Sequence, residues 1–258
     1  MASVTSFTSL FNANEARLTA SLDGFERGLT TMFGEMKRAI IDLPAWDVTT
    51  GKLMLRQILW TQQQLKGELT KLGYEDLINK FFTTGYNESE IFGETIYRAL
   101  GKSELNLIPL RSDILTQIKQ YDYTAFQEFG NQTVQQVSKQ LVLNAVGGTK
   151  RSTIIQNLQD TLGVKAEQAR LLADTSLRSF DRTVQWTTAD EAGAKVFRYA
   201  GPADKKNRPF CAVRVGKEFD RKQIGAMNNG SAQFGNVKTM MGGPRCRHYW
   251  LPIVSPDD

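Results

Sequence analysis

The runs KVFRYAGPADKKNRPFCAVRVGKEFD (195–220) and GGPRCRHYWLP (242–252) decide the fold, because here the sequence leaves its helical period. They hold both cysteines, Cys211 and Cys246, and the single histidine, His248. In the first run Val196 alternates with Arg198 and Phe197 with Tyr199, which predicts a short strand. Cys211 to Val215 reads as a second strand before a turn at Gly216. Five of the seven prolines follow residue 201, and Gly225 to Gly243 reads as a polar loop fixed at its ends. Everything before Lys195 keeps to helical spacing. The expected class is mainly α with a small α+β C-terminal module.

Working back from that module, residues 1–146 read as a helical stalk or platform for protein contacts. Residues 147–258 read as one domain, made of a helical hairpin over 149–192 and a Cys/His module over 195–258. Leu18, Leu22, Phe25, Leu29, Met32, Met36 and Ile40 recur at helical intervals and line one face of a long helix that Pro44 stops. Such a face resembles a coiled-coil seam and predicts contact with a partner or a second copy. Residues 1–11 read as an arm in which Phe7, Leu10 and Phe11 are free to dock.

Asp47 is placed to cap a second helix with Leu55, Ile58, Leu59, Leu65, Leu69 and Leu72 on its stripe, ending at Gly73. Shorter helices follow over 74–82 and from Asn87 to Gly101. The aromatics Phe81, Phe82, Tyr86, Phe92 and Tyr97 fall at core-packing intervals. Pro109 opens one helical segment and Tyr121 a longer one, closed by Gly147 and Gly148. Gly163 then divides two helices as the turn of the hairpin. A DNA-reading helix-turn-helix is disfavoured there, because Glu167, Asp174, Asp181, Asp190 and Glu191 would carry negative charge toward phosphate.

Charge sharpens the division. From Lys195 onward there are 12 Lys+Arg against 5 Asp+Glu, a balance of +7, which leaves −2 of the net +5 for residues 1–194. A basic terminal quarter predicts contact with a polyanion, such as non-specific contact with DNA, or simply a solvated face. No stretch is long and apolar enough for a transmembrane segment, and the first residues lack the pattern of a secretory leader, so assembly in the cytoplasm is expected. Two cysteines do not make a disulfide framework.

Cys211, Cys246 and His248 offer two sulfurs and one imidazole. Three outcomes are open: a structural zinc, for which Asp204 is the nearest fourth ligand in sequence; a Cys211 to Cys246 disulfide; or two buried thiols with a hydrogen-bonded histidine. All three require Cys211 to lie near Cys246.

The ordered combination GxxDxxxRPFC, a VGK turn and GGxxCRHxWxP resembles the head-morphogenesis family of tailed bacteriophages typified by the F protein of phage Mu. Its signature falls here on Asp204, Arg208, Cys211, Gly216, Cys246, Arg247, His248 and Pro252. Two places differ: Gly242-Gly243-Pro244-Arg245-Cys246 stands where the family has a Pro-Pro-x-His-Pro-x-Cys run, and Asp174-Thr175-Ser176 where an Arg-Thr-Glu is frequent. The resemblance implies a minor virion protein at the portal and head interior, acting in head assembly, genome packaging or DNA delivery. The partners it implies are the portal protein, other head or ejection proteins and copies of itself. Some relatives carry a toxin domain after this module, and none is expected in the six residues after Pro252. The rival reading is a metal- or thiol-dependent hydrolase or nuclease with His248 as base or ligand. One imidazole would then have to serve both roles, and no acidic cluster for Mg²⁺ adjoins it, so an enzyme is not expected.

Overall fold

A computed structural model describes residues 4–42, 58–103, 109–231 and 236–253. Among the described residues six longer helices lead into a small sheet: α1 (Val4–Ile41), α2 (Ile58–Lys71), α3 (Tyr74–Phe81), α4 (Asn87–Ala99), α5 (Pro109–Val146) and α6 (Arg151–Glu191). One π-helical turn, Phe82–Tyr86, leads into α4. Then follow β1 (Val196–Ala200), α7 (Pro209–Ala212), β2 (Glu218–Asp220), α8 (Arg221–Gly225), α9 (Val237–Met240) and β3 (Tyr249–Ile253). The strands form an antiparallel sheet in the order β2-β1-β3. The chain is therefore mainly helical with a small α+β module near its C-terminus. No helix among the described residues is long and apolar enough to cross a membrane. Pro44, Asp47 and Leu55, on which the second-helix cap was read, lie outside the described residues.

Two compact units interleave along the chain instead of meeting at residue 146: residues 1–21, 82–121 and 173–258 form one, and 22–81 and 122–172 the other. The described residues of the second unit form helices and turns, with no strand. Phe25 of α1 packs on Phe81 of α3 and edge-on to Phe126 of α5, with ring centroids 4.8 and 5.4 Å away. The Tyr74 hydroxyl donates to the Phe126 carbonyl at 2.7 Å, and Arg151 of α6 donates to the Ile41 carbonyl at 2.8 Å, satisfying one of the acceptors that a helix end leaves open.

The proposed partner seam is corrected here. Leu18, Leu22, Phe25, Leu29, Met32, Met36 and Ile40 are each at most 8% exposed within this single chain, so the seam is core and not a docking face. Burying seven such side chains is worth about 10–20 kcal/mol. That outweighs the roughly 1 kcal/mol each that Gly24, Gly28 and Gly34 cost a helix. Gly28 lies against Leu77, whose side chain would have to turn aside for a Cβ, since that Cβ would come within 2.5 Å of Leu77 Cδ1.

Four further expectations change. The N-terminal arm is helical from Val4, and Phe7 and Phe11 are buried with Phe92, Ile96, Leu100 and Leu251. The segments read from Pro109 and from Tyr121 are one helix, α5. The hairpin over 149–192 is a single 41-residue helix, α6. Gly163 sits inside it with open space where a side chain would be, and the strong helix formers after it offer neither a cap nor a proline to stop propagation. Finally, Cys211 lies in the short helix α7 and not in a strand: Pro209 at its first position fixes a helical φ, and the extended Arg208 precedes it.

The sheet has two buried faces in the first unit. Phe197 and Tyr199 of β1 and Trp250 of β3 point into a core with Cys211, Ile224, Val237, Met241 and Cys246. Tyr249 and Leu251 point the other way, where Phe11 stacks on Tyr249 at 4.4 Å between centroids and meets Phe92 edge-on at 5.2 Å. Pro252 is tolerated because β3 is an edge strand.

Candidate functional site

Three short elements and two tight turns bring the cysteines and the histidine together. Cys211 rises from α7, Cys246 and His248 lie on the approach to β3, and Tyr199 comes from β1 between them. The sulfurs of Cys211 and Cys246 are 3.7 Å apart, and Cys246 Sγ is 3.4 Å from His248 Nδ1. One ligand-type atom from each of the three residues lies within 4.8 Å of the others. Both thiols are free. The Tyr199 hydroxyl donates to Cys211 Sγ at 3.3 Å and stands 3.8 Å from Cys246 Sγ. The His248 ring is stacked on that of Tyr199, with centroids 5.1 Å apart. Cys211, Cys246 and His248 are 2, 4 and 3% exposed.

The backbone is shaped to this cluster. A Cβ at Gly242 would meet Cys211 Sγ at 2.4 Å, so only glycine lets the 242 backbone lie against the sulfurs. At Gly201 (φ 139°) a Cβ would strike His248 Cδ2 at 2.7 Å. Met241 (φ 50°) and Arg245 (φ 55°) are held in the left-handed region on either side of the Gly242-Gly243-Pro244 turn. Such conformations persist in non-glycine residues only when the surroundings over-determine them.

Outer contacts fix the ring and the loop. His248 Nε2 lies 3.0 Å from the Pro202 carbonyl, which only accepts, so the Nε2 proton is placed there and Nδ1 faces the sulfurs. Arg208 donates to the Gly242 and Pro244 carbonyls at 2.6 and 2.5 Å. Arg182, buried on α6, donates to the Cys246 carbonyl and, at 3.4 Å, to that of Thr239. The Gly216 N–H donates to the Tyr199 carbonyl at 2.8 Å, and Gly216 takes φ 80° to do so.

The two thiols divide their protons unequally. The hydrogen bond from Cys211, helped by His248 and the Arg182 charge, pushes the Cys246 thiol down against its burial. The same bond and burial push Cys211 up. Burial raises the Tyr199 phenol, with the neighbouring Cys246 adding to it, and lowers Arg182.

Asp204 does not join the cluster. Its carboxylate forms a two-pronged pair with Arg247 at 2.8 Å on each oxygen, at the surface, and those hydrogen bonds hold it well below the usual carboxylate range. The oxygen that lies beside the two sulfurs is instead the Tyr199 hydroxyl. Gly216 and Pro252 stand beside the cluster as backbone parts: a positive-φ turn under Tyr199 and the strand residue opposite Phe197. Tyr199, Arg182 and Gly242 were not singled out from the sequence. Tyr199 had a signal, since it shares the inward face of β1 with Phe197; a lone Arg in a long helix has none.

Beneath the module, in the same unit, lies a second set of buried polar groups. Asp181 accepts from Asn14 at 3.0 Å and from Gln185, and burial pushes its carboxyl up to about 6 despite those bonds. Arg178 pairs with Glu15 at 2.5 Å and Asp174 at 2.8 Å, which together hold its charge against burial. Searches of protein-family models, of curated proteins and of solved structures found no match to this chain.

Proposed function

We propose that the chain is a minor structural protein of a tailed-bacteriophage head, located at the portal vertex or head interior and acting in head assembly, genome packaging or DNA delivery. One observation carries the reading: every position of the signature has a task in holding the terminal module together. Asp204 pairs with Arg247, Arg208 ties down the 242–244 turn, and Gly216 makes the turn beneath Tyr199. Cys211, Cys246 and His248 form the buried knot, and Pro252 lies in the edge strand. A signature whose residues all serve folding fits a virion component better than a catalyst.

The enzyme reading loses support on the same ground. A thiol nucleophile must meet its substrate, yet both cysteines are at most 4% exposed and their sulfurs are already engaged with Tyr199, His248 and each other. Portal protein and packaged DNA are the proposed neighbours. For DNA, the exposed Lys205, Lys206, Lys217, Lys222 and Arg245 of the module offer the charge.

Complementation in the phage that encodes the chain tests the proposal. A null mutant should give defective heads or particles that fail to deliver DNA, rescued by the wild-type chain and not by Cys246→Ser. A null mutant that assembles and infects normally overturns it, as does purified protein that cleaves DNA or an ester in a reaction lost in His248→Ala.

A further inference from the structure

The distances around the two sulfurs are those of a tetrahedral metal site. Zinc holds thiolate sulfur at about 2.3 Å and imidazole nitrogen at about 2.0–2.1 Å, which places two sulfurs about 3.8 Å apart and a sulfur and a nitrogen about 3.6 Å apart on a tetrahedron. The chain sets its two sulfurs 3.7 Å apart and Cys246 Sγ 3.4 Å from His248 Nδ1. An oxygen ligand belongs about 3.5 Å from each sulfur. The Tyr199 oxygen is 3.3 and 3.8 Å from them. The donor atoms of Cys211, Cys246 and His248 all lie within 4.8 Å of one another, with the Tyr199 oxygen beside both sulfurs, inside a core where each of the three residues is nearly inaccessible to water.

The surroundings match what such a site needs. The Pro202 carbonyl orients the imidazole so that Nδ1 is the inward atom, as outer-sphere acceptors do for metal-bound histidines. Gly242 leaves room beside Cys211 Sγ, where any side chain would enter the ligand sphere. Strained Met241 and Arg245 fix the turn that delivers Cys246.

We infer that Cys211, Cys246, His248 Nδ1 and the Tyr199 hydroxyl form a closed structural site for a borderline-soft divalent cation, Zn²⁺, with Tyr199 as its fourth donor. Two thiolates and an imidazole select zinc over Mg²⁺ or Ca²⁺, which take oxygen ligands, and a site with no open position holds the fold without activating water. Binding displaces the thiol protons to solvent, so affinity falls in acid. The inference does not rest on the phage reading, and its failure leaves that reading standing.

The test uses the full chain, reduced, stripped with a chelator and titrated with Co²⁺ and then Zn²⁺. One cobalt per chain is expected, with thiolate charge-transfer absorption and the strong visible bands of tetrahedral cobalt, bleached by zinc. Tyr199→Phe keeps the ring and its packing; it should shift the cobalt bands and weaken binding by about tenfold or more. Cys211→Ser and Cys246→Ser should abolish the spectrum. In case those variants do not fold, zinc should also protect both wild-type thiols from a disulfide reagent. Absence of thiolate-to-cobalt absorption, or thiol reactivity indifferent to zinc, overturns the site. A Tyr199→Phe spectrum and affinity equal to wild type overturns the tyrosine as fourth donor.

Discussion

At the residue scale, Gly242 is the position where the knot is least forgiving. Its missing Cβ is what allows the 242–244 turn to lie against Cys211 Sγ at contact distance. Gly242→Ala should destabilise the chain by about 1–3 kcal/mol through overpacking, read as a lower urea midpoint. A midpoint equal to wild type would mean that the turn does not press on the sulfurs. Asp181 makes a second prediction, about pH. Its folded pKa of about 6 lies above the ordinary 3.8, so the folded state binds the proton more tightly. Its contribution to stability is complete below about pH 4 and is lost as pH rises toward 6, roughly 3 kcal/mol at ~1.4 kcal/mol per unit. Asn14, Ser89 and Gln185 hydrogen-bond the carboxyl and Arg182 faces it, which limits the shift that burial causes, while the Glu15 charge adds to that shift. In Asp181→Asn that loss should vanish, so the variant should gain on wild type between pH 4 and 7. Parallel stability curves over that range would contradict it. What the sequence conveyed at this scale was adjacency: Cys211 near Cys246, with His248 beside them. It did not convey the fourth atom, because only the pairing of β1 with β3 brings the Tyr199 hydroxyl to the sulfurs.

At the scale of elements, the helical face from Leu18 to Ile40 was legible to the residue, and its occupant was not. Periodicity says which side of a helix is apolar, and only folding says whether a partner or the same chain covers it. The hairpin over 149–192 went wrong for a related reason. One glycine costs a helix about 1 kcal/mol, which long-range burial of Leu158, Leu162, Ala169 and Leu177 overrides. A substitution distinguishes a continuous α6 from a hairpin. Gly163→Ala has open space for its methyl group, so it should stabilise the chain by about 0.5–1 kcal/mol. Destabilisation there would indicate a turn at Gly163. The helical N-terminus makes another prediction. Phe11 is 2% exposed between Phe92 and Tyr249, so Phe11→Ala should cost about 3–5 kcal/mol in urea unfolding, where a loose arm would cost almost nothing.

At the scale of the whole molecule, charge and chemistry were both legible from one end of the chain. The +7 balance and the soft ligands belong to the same 64 residues, 195–258, and much of that charge remains at the surface even though Arg198, Arg221 and Arg247 are paired with acids. The division into units was not legible, because α1, α5 and α6 each run from one unit into the other and no linker marks the change. The proposed virion role requires the chain to be a component of a particle. The proposed virion role is tested most directly by quantitative mass spectrometry of purified particles of a phage that carries this sequence, before and after release of DNA. The chain should be present in few copies in intact particles, at a level set by the portal; its absence from infectious particles would contradict the account.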